Sequence, residues 1–325
     1  MKKITIQEIK GFFFGHADNK KALTGCTVIL TKNGAVAGVD VRGGSPGTRE
    51  TDVLKAENMV DEVHGVFLSG GSAFGLDVGG GVMDYLEQKD IGFDVRVTKV
   101  PIVPGAILFD LYPGDPSIRP DKQMGIEACR NAFNKTEFLE GSVGAGTGAT
   151  VGKAMGYEYA MRGGIGAYAI EFGELQIGSV VAVNAFGDVI DPTTNQILAG
   201  AYDRRHNKFL QSAVQLKKQM DFTTNRFSKN TTIGAIVTNA QLTKAQANKI
   251  ASIAHDGLAN TIKPSHLFVD GDTLFTLTTN KIKTDLNVLG TVAIEVVEQA
   301  VINAVKHATS FEDIPSYKQI TKLNA

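Results

Sequence analysis

A chain of 325 residues that is 43% hydrophobic and 21% charged can bury a substantial core, as one large domain or two smaller ones. Its 33 Lys and Arg nearly balance 34 Asp and Glu, for a formal net charge of -1; without a cationic excess to drive polyphosphate binding, nucleic acid is not an expected partner. Met1, Lys2 and Lys3 precede a segment broken by Gln7, Glu8, Lys10, His16 and Asp18, and no apolar run of about 18 residues follows anywhere, so neither a signal peptide nor a membrane span is expected and the cytoplasm is the default location.

In chain order, Cys26 to Thr31 and Ala35 to Val41 read as two strands joined by Lys32-Asn33-Gly34, a hairpin signal because Asn and Gly accept the positive φ of a tight turn. Val66 to Ser69 reads as a buried strand entering the turn Gly70-Gly71-Ser72, and Phe74 to Leu86 then has helical spacing. Gln123 to Phe133 is a second helix with Ile126, Ala128 and Cys129 on its apolar side, and Ser179 to Asn184 a further strand. Thr223 to Thr232 is polar and aperiodic, the best candidate for an exposed loop, and runs into the strand Ile233 to Thr238. Amphipathic helices follow at Thr243 to Leu258 and Asn287 to His307, separated by the strand-rich Leu267 to Thr278. Strands and helices without strict alternation predict a layered α+β architecture. Cys26 and Cys129 lack CxxC spacing and read as buried small hydrophobes.

Several segments admit a chemical reading beside a bland one. The glycine-dense Gly141 to Lys153 invites a phosphate loop, but five and three residues separate Gly146 and Gly148 from Gly152, and Ala154 follows Lys153; a Walker A loop needs four, then Ser or Thr. Spacing alone favours a packing loop with a solvated lysine. Gly71-Ser72-Ala73-Phe74-Gly75 has the context of a nucleophile elbow with its serine one place early, so helix capping by Ser72 is expected instead. Histidines 16, 64, 206, 255, 266 and 307 show no metal-ligand spacing. Asp270-Gly271-Asp272 would set two carboxylates on one face if extended, raising one pKa for proton transfer; local sequence favours an exposed Asp-Gly turn. Asn230-Thr231-Thr232 matches a glycosylation sequon, yet stands where a loop enters a strand, and a Thr freed at its amine carries both a nucleophilic hydroxyl and a base of pKa about 7.7–8.0.

Together these segments resemble the DmpA-type N-terminal-nucleophile hydrolases, which include L-aminopeptidase/D-esterases, β-peptidyl aminopeptidases and 6-aminohexanoate-oligomer (nylon oligomer) hydrolases. The resemblance runs nearly end to end: Gly25 to Val28, Ala37 to Asp52, Leu68 to Leu76, Val103 to Asp110, Gly146 to Lys153, Asn230 to Ile233 and Val269 to Thr273. It implies a four-layer αββα sandwich of the DmpA/ornithine-acetyltransferase type. It also implies a single domain, 1–325, that cuts its own Asn230–Thr231 bond to give an α subunit, 1–230, and a β subunit, 231–325, assembled into homo-oligomers, often tetramers of αβ units. Thr231 would be the nucleophile, with Asp270 and Asp272 against its amine and hydroxyl. Relatives with Ser and Glu at those acidic positions lie further off, so this chain resembles the nylon-oligomer branch more. Lys153 and Asn184 would line the pocket, Asn184 donating to the oxyanion, and Tyr112 is one candidate for a pocket tyrosine. Lys10 to Phe14 departs from the family's usual start. The resemblance implies no cofactor or metal, and a small amide, peptide or ω-amino-acid oligomer as substrate. Acyl transfer of the ornithine-acetyltransferase kind is the alternative reaction, and a non-enzymatic ligand cleft a third.

Overall fold

The computed structural model describes residues 1–218 and 230–323; positions 223–229, most of the expected polar loop, lie outside them. Among the described residues, ten strands share one hydrogen-bonded sheet. They are β1 (Lys2–Ile4), β2 (Phe13–Asn19), β3 (Thr24–Val41), β4 (Thr48–Arg49), β5 (Glu62–Ser69), β6 (Gly105–Ile107), β7 (Gly164–Phe172), β8 (Leu175–Asn184), β9 (Thr231–Ala240) and β10 (Thr273–Ile282). The order is β1-β7-β8-β9-β10-β3-β5-β6-β4, with β2 paired to β3. Four longer helices complete the stack: α1 (Val78–Gln88), α2 (Lys122–Phe133), α3 (Lys244–Thr261) and α4 (Leu286–His307).

The sheet doubles over along β3, whose first half lies between β2 and β5 and whose second half pairs with β10. Side-chain alternation shows the layers. On β8, Val181 and Val183 pack toward α3 and α4, whereas Val180 and Ala182 face inward. On β5, Val66 and Leu68 enter that same inner core, while Phe67 turns outward to Val78 and Val82 of α1 and Cys129 of α2. Three cores between four layers make the αββα sandwich. Each fully buried Val, Leu or Ile contributes about 1.5–3 kcal/mol, so period-two burial on both faces commits these strands to the interior.

Most elements match the expectations from sequence, with three differences. Lys32-Asn33-Gly34 is no hairpin: β3 runs unbroken for 18 residues, and Gly34, at φ +77°, sits where pairing with β5 shifts register between Leu30 and Ala35. A bulge uses the same positive φ as a turn, and β5 pairs on both sides of it, so the ladder overrides the local signal. Ser72 makes no side-chain cap; Gly71, at φ +81°, precedes a 3-10 turn over Ser72–Asp77 that leads into α1. The third concerns residues 230–232, buried at the start of β9 rather than in an exposed loop. β9 is flanked on both sides, antiparallel by β8 and parallel by β10, so its first residues join the sheet. At the other end of the chain, α4 is long and apolar enough to cross a membrane by length and composition, but it buries Val296, Ala300 and Val301 and packs on β7 and β8.

Candidate active site

Neighbouring strands bring the expected residues together. Thr231 opposes Asn184 across β8 and β9. Asn230 bridges Asp270, because the segment Asp270-Gly271-Asp272 leads into β10 alongside the start of β9. Lys153 arrives from the glycine-dense segment and donates its Nζ to Asn184 O at 2.9 Å and Oδ1 at 3.0 Å. All six of Lys153, Asn184, Asn230, Thr231, Asp270 and Asp272 are buried. The solvated lysine and the exposed Asp-Gly turn are therefore both corrected by tertiary packing that short-range sequence does not carry.

The Asn230 carbonyl oxygen is the convergence point. It accepts from the Thr231 hydroxyl and from the Gly271 N–H at 3.1 Å. Position 271 admits no side chain, since a Cβ there would stand 2.8 Å from both Thr231 Oγ1 and Ser45 O. Asp272 Oδ1 accepts the Thr232 N–H at 2.7 Å, and its Oδ2 accepts the His266 N–H at 3.0 Å and lies 2.8 Å from His266 Nδ1. Asp270 is less satisfied: Oδ2 accepts the Leu267 N–H at 2.9 Å, while Oδ1 has no partner among the described residues. Burial first, then the neighbouring Asp272 charge, pushes the Asp270 carboxyl up to about 7, against the pull of the Leu267 N–H, Lys153 and His266. A buried carboxyl that changes protonation near neutral pH is suited to moving a proton.

Asn184 is held on several sides. Its Oδ1 accepts from Lys153 and from the Thr150 N–H at 3.0 Å, and its Nδ2 donates to Phe109 O at 2.9 Å. Tyr112 is 59% exposed and meets the Tyr157 ring at a tilt of 35°, with centroids 4.2 Å apart. The Tyr157 hydroxyl lies 2.8 Å from Thr150 Oγ1, beside Asn184. Sequence reasoning missed Tyr157 and His266. No spacing signal marks either; a survey of histidines for metal motifs passes over one whose partner is a carboxylate six residues on.

The chain is similar to several known proteins. Residues 5–317 match peptidase family S58. An uncharacterized aminopeptidase of Mycobacterium leprae is 37% identical, across 96% of this chain and 93% of its own. The 6-aminohexanoate-oligomer endohydrolase of Paenarthrobacter ureafaciens is 31% identical, across 92% of this chain and 85% of its own. Among solved structures, the L-aminopeptidase D-Ala-esterase/amidase of Ochrobactrum anthropi, described as a variant of the Ntn hydrolase fold, superposes with a TM-score of 0.69 at 18% identity, covering 98% of this chain and 92% of its own. A Burkholderia β-aminopeptidase gives 0.66 at 16% identity, over 97% of this chain and 91% of that one. The relatives bear the names of aminopeptidases and an oligomer endohydrolase, which does not favour the acyltransferase alternative. With the α+β sandwich of the Ntn hydrolases and amide-hydrolase relatives along nearly its whole length, the chain is an amidohydrolase that belongs to peptidase family S58.

Proposed function

We propose that the chain cuts itself between Asn230 and Thr231 and that Thr231, as the new amino terminus, then attacks small amides, peptide N-termini or ω-amino-acid oligomers. One observation carries this reading: the Thr231 hydroxyl and the Gly271 N–H converge on the carbonyl of the bond to be cut. In the first act Oγ1 bonds to the Asn230 carbonyl carbon, the carbon–nitrogen bond breaks, and the hydroxyl proton passes to the departing Thr231 nitrogen. Asp270, which titrates at about 7, is the carrier suited to that transfer. The Gly271 N–H stabilises the oxyanion as it forms. Water then cleaves the ester, leaving an Asn230 carboxylate and a free Thr231 amine. In the second act the same hydroxyl attacks a substrate amide, the amine serves as local base, and water resolves the acyl-enzyme.

Asp272 holds the start of β9 through the Thr232 N–H. Lys153 supplies a cation that lowers the cost of charge on Asp270. Asn184 is assigned to the substrate's oxyanion, with its amide exchanging from Phe109 O to the intermediate. The names of the relatives, aminopeptidase and 6-aminohexanoate-oligomer endohydrolase, support free-amine peptides and ω-amino-acid oligomers as the substrate class. No cofactor is needed in either act. We also propose a homo-oligomer, as a tetramer of αβ units; Phe172 and Val288, exposed at 59% and 47% beside an apolar cavity of about 420 Å³, form an apolar patch that a second copy would cover. A net charge of -1 supplies no cationic excess for nucleic acid, and the cytoplasm is the proposed location.

Intact-mass measurement with amino-terminal sequencing, on the wild type and on Thr231→Ala, tests the reading. The expected result is two chains, the second starting at Thr231, and one uncut inactive chain for the variant. A single uncut wild-type chain, with activity surviving Thr231→Ala, would sink it.

A further inference from the structure

The Asp272 carboxylate reaches the nucleophile's strand with one oxygen and His266 with the other. Oδ1 takes the Thr232 N–H at 2.7 Å; Oδ2 takes the His266 N–H at 3.0 Å and faces His266 Nδ1 at 2.8 Å. A carboxylate is planar, so fixing Oδ2 from two directions fixes where Oδ1 points. That direction in turn sets the Thr231–Thr232 peptide. His266 achieves the double grip through left-handed backbone, φ +58°, in which its own N–H and ring converge on one acceptor. Such a conformation costs energy for a side-chain-bearing residue and needs surroundings that impose it. The surroundings are visible: the His266 ring is only 17% exposed and meets the His255 ring of α3 edge-on at 4.9 Å. His255 is itself anchored by Nε2 on the Asp40 carbonyl of β3 at 3.0 Å. Because a carbonyl only accepts, that Nε2 carries a proton; because Asp272 accepts, so does His266 Nδ1.

We propose that His266 is a positioning residue of this hydrolase, which aims Thr231 by clamping Asp272 and touches neither substrate nor the reacting atoms. The inference rests on Thr231 as the nucleophile. Its weight grows after the cut, when β9 loses the covalent bond ahead of its first residue. A freed strand end frays unless tied. The Asp272–Thr232 bond is such a tie, beside the pairing of Thr231 with Asn184.

The test uses the full chain made by cell-free synthesis, with the uncut fraction followed by intact mass and kcat and KM measured on the mature protein. His266→Gly keeps the backbone free to be left-handed and removes the ring. Self-cleavage and kcat are expected to fall about ten- to a hundredfold, the span a hydrogen bond to a charged group carries, with KM within about twofold because the ring contacts no substrate. His266→Asn places an amide N–H where Nδ1 stood and tolerates the left-handed backbone, so it is expected to recover to within about threefold of wild type. His266→Gln carries the same amide one carbon too far and is expected to stay slow; this Asn and Gln pair decides the matter if the glycine variant does not fold. Wild-type rates in His266→Gly, or equal rates in His266→Asn and His266→Gln, overturn the inference while leaving Thr231 in its role. A wild-type chain that never cuts overturns both.

Discussion

Two buried aspartates occupy the same sandwich under opposite terms. Burial pushes both carboxyls up, Asp110 to about 6 and Asp270 to about 7. Asp110 has both oxygens engaged, Oδ1 by the Gly71 N–H at 2.6 Å and Oδ2 by the Thr24 hydroxyl at 2.8 Å, with the charge of Arg162 nearby. Asp270 has one oxygen engaged, one without a partner among the described residues, and a second carboxylate beside it. Desolvation alone does not set the proposed proton carrier apart from a structural carboxyl; the number of satisfied lone pairs does. The contrast also explains the glycines. A Cβ at Gly70 would stand 2.0 Å from Asp110 Oδ2, and one at Gly148 would stand 2.7 Å from Asp110 Cβ. Those turns are bare so that backbone can close over a carboxylate of the chain itself, which is how the segment around Gly148 comes to imitate a phosphate loop without its spacing.

Asp270→Asn should break the contrast most sharply. Self-cleavage and turnover are expected to drop about 10²–10⁴-fold, the contribution typical of general acid–base groups, read by time-resolved intact mass. Stability should move the other way. With a folded value of about 7 against an ordinary 3.8, the native state binds more protons between those limits, so the wild type loses stability as pH rises from about 4 to about 7. The variant lacks that loss and should melt higher than wild type at pH 8, with the gap closing toward pH 4. Equal gaps at both pH values would show that Asp270 titrates normally.

Gly271→Ala comes next. Its Cβ would stand 2.8 Å from Thr231 Oγ1 and from the Ser45 carbonyl oxygen; displacing the nucleophile is expected to slow self-cleavage by up to about a hundredfold, and the clash with backbone to lower the unfolding midpoint. At the other aspartate the signs reverse. Asp110→Ala strands the Gly71 N–H and the Thr24 hydroxyl without their acceptor and should cost about 1–3 kcal/mol in denaturant unfolding, while the folded fraction still cuts itself. Thr24→Val removes one of the two donors and should cost about 1 kcal/mol by the same assay. A loss of cutting in either Asp110 or Thr24 variants, at conditions where the protein is folded, would erase the distinction between the two sites.

Strands β8 and β9 and helices α2, α3 and α4 were legible because each carries its own periodicity, and Thr243 with Gln246 even forms the capping box that starts α3. The residues of the site were legible as types and not as neighbours. Nothing local tells that Asp270 and Asp272 are buried or that Asn184 faces Thr231; strand order decides both. Lys32-Asn33-Gly34 misled because a bulge and a hairpin ask the same φ of glycine. Ser72 misled because glycine at position 71 took the cap position and a 3-10 turn intervened. His266 was invisible because its use depends on a turn that folds its backbone and ring toward one oxygen.

β9 and β10 are central strands, bordered by β8 on one side and β3 on the other. If the chain is cut before Thr231, the carboxy-terminal piece supplies the middle of a sheet whose margins belong to the amino-terminal piece. The two pieces are then threaded through each other like the fingers of clasped hands. Separating them means tearing two strand ladders and two cores at once, so a tag on either piece should bring down both, and neither piece made alone should find a fold of its own.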